Sequence, residues 1–235
     1  KEANFIFNKR NLSFGDGLKI NIYCEGVTDF IHLKNATSFF KSIGEFTDLD
    51  IVFMENNAIP DGDNGLLEAF KSARQKNLED DFLSLFLFDK DVSQTLTTIT
   101  KYNAINPHIK SYMAMILPLP HGLDDNEQYC IEHMYKEDDR HKIVTDGRRL
   151  HLKEEFNEKG FHKTEKKIYT SMHKKSLVAD SDIFCIETQK SVGLTKKEFA
   201  SLITSTYQSD IEYINFRKLF IEIKKIKNEF YKNQK

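Results

Sequence analysis

The chain reads as an α/β protein: a parallel sheet flanked by helices, followed by a charged, helical C-terminal region. Three observations lead there. Apolar runs of strand length alternate with stretches of helical period through the first half. Two of those runs end in carboxylates, Glu25 after the first and Asp89 and Asp91 after the third. The alternation stops near Asp124, and the remainder is rich in lysine and arginine. Strands separated by helical crossovers imply parallel pairing with right-handed connections.

Residues 1–17 read as an arm with one apolar patch, Phe5-Ile6-Phe7, closed by the turn Gly15-Asp16-Gly17. The first strand runs from Leu18 to Cys24. A helix follows with Phe30, Leu33, Thr37 and Phe40 at helical spacing, and Gly44 ends it. Ile51 to Met54 is the second strand. The polar loop from Pro60 to Gly65 leads into a second helix with Leu67, Phe70 and Ala73 on one face. The third strand is Phe82 to Phe88, and the fourth is Tyr112 to Leu117, before Pro118 and Pro120. Residues 18–123 therefore form one domain and 124–235 a mainly helical second region that binds substrate or partner. At the end, Ile211, Ile214, Leu219, Phe220, Ile223, Ile226 and Phe230 share one helical stripe. An apolar face of that length needs cover, so the stripe predicts a homodimer or a partner-contacting surface.

Composition narrows the class. With 235 residues, 40% of them hydrophobic and 12% aromatic, the chain supports a real core and is not a disordered protein. Three scattered cysteines, Cys24, Cys130 and Cys185, fit neither a disulfide framework nor a zinc ribbon, and point to a reduced, cytoplasmic setting. The chain carries no apolar run near the roughly 18 residues a membrane span needs. Net charge is −2, but residues 140–175 carry a local +6 and 217–235 a local +5, leaving −13 on the other 180. A metal-binding acidic half beside basic stretches is the arrangement that phosphodiester chemistry requires: metal for the reaction, lysine and arginine for backbone phosphates.

In an open α/β sheet, ligands bind outside the carboxyl ends of the strands. Glu25 stands at such an end, and Asp29, four residues on, falls in the first helical turn, with Gly26 permitting a sharp strand-to-helix turn. Asp29 equally suits a purely structural role at a helix N-terminus. Asp89 and Asp91 alternate out of the third strand and point to one side of an extended segment. Paired carboxylates repel, and a hard divalent cation, Mg²⁺ or Mn²⁺, relieves the repulsion. Glu132, after the fourth strand, offers a further ligand. Lys174 and Lys175 offer positive charge for a developing phosphate oxygen, and His121 a general base. The histidines at 133, 141, 151, 162 and 173 lack zinc-ligand spacing.

The segments Tyr23-Cys24-Glu25-Gly26-Val27-Thr28-Asp29 and Phe86-Leu87-Phe88-Asp89-Lys90-Asp91 resemble the glutamate and DxD motifs of the Toprim domain family. That family is the metal-binding α/β domain of topoisomerases, bacterial primases, small RNA-processing nucleases and the overcoming-lysogenization-defect nucleases. The resemblance covers roughly residues 18–120. In nuclease members an acid four residues after the glutamate is also used, a position Asp29 fits. Within the superfamily the chain resembles the Toprim effector nucleases of the PARIS phage-defence system, which work with a separate ATPase. No GxxxxGK[ST] phosphate loop occurs in this chain.

The resemblance implies a cytoplasmic, Mg²⁺- or Mn²⁺-dependent endonuclease. Glu25, Asp89 and Asp91 would be catalytic ligands, Asp29 and Glu132 further ligands, and Lys175 a cationic assistant. It implies toxicity through RNA cleavage, with tRNA as substrate, and an ATPase partner. Two other classes remain: a Toprim nuclease acting on DNA, and a non-catalytic module binding metal or partner. A haloacid-dehalogenase-type phosphatase is set aside, because its DxD follows the first core strand and here it follows the third.

Overall fold

The computed structural model describes residues 19–54, 62–75, 82–105, 111–170, 176–179, 182–205 and 211–232. The N-terminal arm and the Lys174-Lys175 pair lie outside these residues. Two compact units emerge: residues 1–118 together with 217–235, and residues 119–216. The division differs from the expected boundary near residue 123, chiefly because the C-terminal helix belongs with the first unit.

The first unit is a four-stranded parallel sheet flanked by helices. Strands β1 (Lys19–Tyr23), β2 (Asp50–Phe53), β3 (Leu83–Phe88) and β4 (Tyr112–Ile116) lie in the order β2-β1-β3-β4. All six residues of β3 are buried. That explains its almost wholly apolar sequence, broken by the buried Ser84, since a central parallel strand is covered on both faces. Helices α1 (Val27–Ser42) and α2 (Asp63–Gln75) match the two amphipathic stretches, and α2 buries Leu66, Leu67, Ala69, Phe70 and Ala73. A third helix, α3 (Ser93–Ile105), joins β3 to β4 and was not foreseen. Its sequence is rich in threonine and isoleucine, whose branched side chains lower helix propensity and hide the period.

Aromatic rings lock the sheet near its carboxyl end. Tyr23 of β1 stacks on Phe86 of β3, with ring centroids 4.7 Å apart and planes at 7°. Phe70 of α2 closes on Phe86 at 5.6 Å and Tyr102 of α3 on Phe70 at 5.7 Å. Helix α1 ends where Gly44 takes φ +79°, a left-handed conformation suited to glycine, and the Glu45 amide bonds to the Phe40 carbonyl at 2.8 Å.

Helix α6 (Ile214–Lys232) corrects the reading of the apolar stripe. Ile211, Leu219, Phe220, Ile223 and Phe230 are buried within the chain itself. Phe220 packs on Phe40 at 5.2 Å and Phe46 at 5.6 Å, Arg217 pairs with Glu45 at 2.6 Å, and the Tyr231 hydroxyl donates to the Lys19 carbonyl at 2.8 Å. The stripe therefore supplies core to the first unit and gives no reason for a dimer, while Ile214 and Ile221 remain about half exposed.

The second unit is mostly irregular rather than mainly helical. It holds two 3-10 turns, Ile131–Met134 and Lys153–Glu155, and a single-turn helix α4 (Glu137–Arg140). It also holds an antiparallel pair, β5 (Ile168–Thr170) with β6 (Ile183–Cys185), and helix α5 (Lys196–Ser205). Among the described residues no helix is long and apolar enough to cross a membrane.

Truncating Phe220 to alanine removes the aromatic seat of α6 on α1. The expected cost is about 3–5 kcal/mol of folding free energy, seen as a lower urea midpoint with unchanged slope. A loss under about 1 kcal/mol would show that α6 does not contribute core to the first unit.

Candidate metal centre

The strand order makes the site. The chain passes from β1 to β2 on one side, then to β3 on the other, so the connections diverge between β1 and β3 and leave a crevice at their carboxyl ends. Glu25 lies two residues beyond β1 and Asp89 one residue beyond β3. The Asp89 amide donates a hydrogen bond to Glu25 Oε1 at 3.0 Å, joining the two motifs across a sequence gap of 64 residues.

Glu25 is half-buried among like charges. Burial, then the charges of Asp63, Asp91 and Asp29, push its carboxyl up to about 8, against the Asp89 amide, which favours the ionised form. The neighbouring Cys24 thiol is raised by burial and then by Asp29, Asp89 and Glu25, so it is not a nucleophile at neutral pH. Three acids, Asp63, Asp91 and Asp29, thus act by charge on Glu25, and Asp89 is its amide partner.

Asp29 also serves the helix. Its Oδ2 accepts the Gly26 N–H at 2.9 Å and so satisfies a donor at the start of α1. Gly26 itself is extended, at φ −142° and ψ 166°, and a Cβ there would meet nothing closer than 3.8 Å. The strand-to-helix turn therefore does not need glycine, contrary to the sequence expectation.

Asp63 is the residue that the motif reading passed over as part of a polar loop. It opens α2, and its Oδ2 accepts a short hydrogen bond from the buried Thr95 hydroxyl of α3. Gly62, at φ +89°, takes a left-handed conformation natural to glycine, and its amide donates to the Glu25 carbonyl at 2.9 Å. A glycine that turns a loop back onto Glu25, followed at once by an acid, is the signal that could have found Asp63.

The donor set is all carboxylate oxygen, which suits a hard cation such as Mg²⁺ or Mn²⁺ and not zinc or copper. The oxygens spread more widely than a closed cage. Among the described residues, a trio of ligand atoms within 4.8 Å of one another occurs instead at His151, Glu155 and His162. Mg²⁺ keeps several waters and needs only a few direct carboxylates, so an open acidic bowl is compatible with it.

The His151–Glu155–His162 trio, in the second unit, reads as an ion-pair hub. Arg149 reaches Glu155 Oε2 at 2.7 Å and Glu165 Oε1 at 2.5 Å, and stands 3.2 Å from His162 Nε2. The Glu165 amide donates to His162 Nδ1 at 2.9 Å, leaving the ring proton on Nε2, 2.9 Å from Glu155. A guanidinium thus supplies the positive charge, and the tautomer offers a donor where a metal needs a lone pair.

Glu132 and His121 belong to the second unit. Glu132 is fully buried in the second unit, 3.5 Å from Lys196, so an ion pair accounts for it there. His121, also in that unit, has its amide bonded to Asn215 Oδ1 at 2.8 Å. Of the basic stretch, Lys142, Arg148, Arg149 and Lys167 are paired with acids, while Lys153, Lys159, Lys163 and Lys166 are exposed. Lys175 lies outside the described residues. No family model, curated protein or solved structure gives a significant match to the chain.

The raised Glu25 pKa sets a sign for stability. The folded carboxyl keeps its proton up to about 8, while the unfolded one releases it near 4.5. Wild-type stability therefore erodes as pH climbs through that window. With EDTA present, Glu25→Gln should match wild type near pH 4 and exceed it at pH 9 by about 1–3 kcal/mol. Parallel pH profiles for the two proteins would show that Glu25 ionises normally.

Proposed function

We propose that this chain is a Toprim-type, divalent-cation-dependent endonuclease, acting as an RNA-cleaving effector in phage defence. The observation that carries the reading is the convergence of Glu25 and the Asp89-Lys90-Asp91 segment at the β1/β3 crevice, joined by the Asp89 amide. Glu25, Asp89 and Asp91 would hold Mg²⁺ or Mn²⁺, with Asp29 and Asp63 completing the negative field. A bound divalent ion in such a site supplies a polarised water and neutralises phosphate charge.

The chain's own groups do the rest. The Asp89 amide fixes one Glu25 oxygen and leaves the other for ligation. Thr95 holds Asp63 by its carboxylate, which keeps α2 oriented toward the crevice. Five acids around one crevice repel a phosphodiester until a cation offsets them, so substrate binding and metal loading are coupled. The exposed lysines of residues 153–166 offer contacts to backbone phosphates, which position a nucleic acid without reading its sequence. The ATPase partner rests on the motif resemblance, and the cytoplasmic setting on the cysteine pattern.

The test is cleavage of total tRNA and of supercoiled plasmid in parallel, with Mg²⁺, Mn²⁺ or EDTA and with a candidate ATPase partner added or withheld. Metal-dependent tRNA cleavage that falls at least about 100-fold in Glu25→Ala is expected. Plasmid nicking with intact tRNA would transfer the assignment to a DNA nuclease. Undiminished cleavage by Glu25→Ala would overturn the catalytic site. Inactivity on both substrates in every condition, with metal binding retained, would favour a non-catalytic module.

A further inference from the structure

The second unit contains a cavity that shares only Lys153 with the nuclease reading. Its volume is about 610 Å³, within the range of small-molecule sites. Leu123, Phe156, Leu177 and Ala179 give it an apolar floor. Among the described residues its charged lining is unbalanced: Glu127, Glu154 and Glu158 against one lysine, Lys153. We propose that this cavity binds a small organic cation, an ammonium group carried on an aliphatic body.

The wall is built to hold one of the carboxylates in place. His133 is 3% exposed and lines the cavity. The Cys130 amide donates to His133 Nδ1 at 3.2 Å, so the ring proton sits on Nε2, 3.4 Å from Glu154 Oε1. Burial works to raise the Glu154 pKa, but the His133 hydrogen bond, with Arg140 nearby, brings the carboxyl below its ordinary range. Glu154 is therefore an oriented anion, and half of its side chain remains open to a ligand. Glu127 is oriented too, since its Oε2 accepts the Asp124 amide at 2.7 Å.

Charge decides the class of occupant. An anion would meet three carboxylates and one lysine. A neutral apolar molecule would fill the floor but leave the acidic rim without a counter-charge. An ammonium on an aliphatic stem satisfies both: the stem covers Leu123, Phe156 and Leu177, and the head donates to carboxylates already held in position. The volume suits a whole small molecule rather than one basic side chain of a macromolecule. The site is independent of the acidic crevice in the first unit, so its test does not depend on the nuclease reading.

The experiment is an amide-resolved NMR titration of the full chain with hexylammonium, 1-hexanol and hexanoate. Hexylammonium should give saturable shifts at Leu123, Phe156 and Ala179, about tenfold tighter than hexanol, with hexanoate silent. Glu154→Gln should weaken hexylammonium several-fold. Lys153→Ala should strengthen it, a gain that mere loss of structure cannot produce. Leu123→Arg, at a half-exposed position, should abolish it while leaving the remaining spectrum dispersed. Equal affinity for hexanol would overturn the proposal, as would indifference to Leu123→Arg, or no saturable binding by hexylammonium. A lysine-containing peptide that saturates the site where hexylammonium does not would overturn it in favour of a protein partner.

Discussion

The candidate site depends on one hydrogen bond, from the Asp89 amide to Glu25 Oε1 at 3.0 Å. It exists because β1 and β3 are neighbours in the sheet although β2 lies between them in sequence. The Tyr23–Phe86 stack fixes the register just before the two strands end. Beyond that point the backbone leaves the sheet, and the acids it carries are brought together in a half-buried place where their mutual repulsion is costly. Burial first, and that repulsion after it, push Glu25 up to about 8. A divalent cation, as proposed, would relieve that cost through the carboxylate oxygens gathered there.

The supports around the crevice come from separate elements. Gly62 ties the start of α2 to the Glu25 carbonyl, and Thr95 of α3 holds the Asp63 carboxylate. The Asp29 carboxylate caps α1 at Gly26. Each acid is thereby positioned by a group that also stabilises a helix start, so local structure and site geometry share the same atoms. In the second unit the economy differs. A poorly regular chain is organised about Arg149, whose contacts to Glu155 and Glu165 join the 3-10 turn to the segment before β5. Removing one partner from such a buried pair is far more harmful than the pair's net contribution would suggest.

Much of the first unit was legible in the sequence. Near-continuous apolar runs such as Leu83–Phe88 mark buried parallel strands, and Glu25 and Asp89 follow within two residues of their ends. What was hidden has identifiable reasons. Helix α3 is disguised by branched residues, and Asp63 by a loop whose importance lies in the φ of Gly62. The terminal stripe was read correctly as apolar but given the wrong cover, because period alone cannot tell a partner from the chain's own Phe40 and Phe46. Glu132 is buried in the second unit beside Lys196, a charge partner that spacing alone does not reveal. Histidines spaced without a metal pattern nevertheless meet at Glu155, since long-range folding rather than spacing assembles them.

The central claim is that the β1/β3 crevice is a divalent-cation site. Anomalous diffraction from crystals grown with Mn²⁺ at pH 8 tests it most directly. The account predicts a manganese peak within direct coordinating distance of Glu25 and of Asp89 or Asp91, about 2.0–2.3 Å from their oxygens. A crevice without such a peak, with manganese bound only elsewhere on the chain, would contradict it.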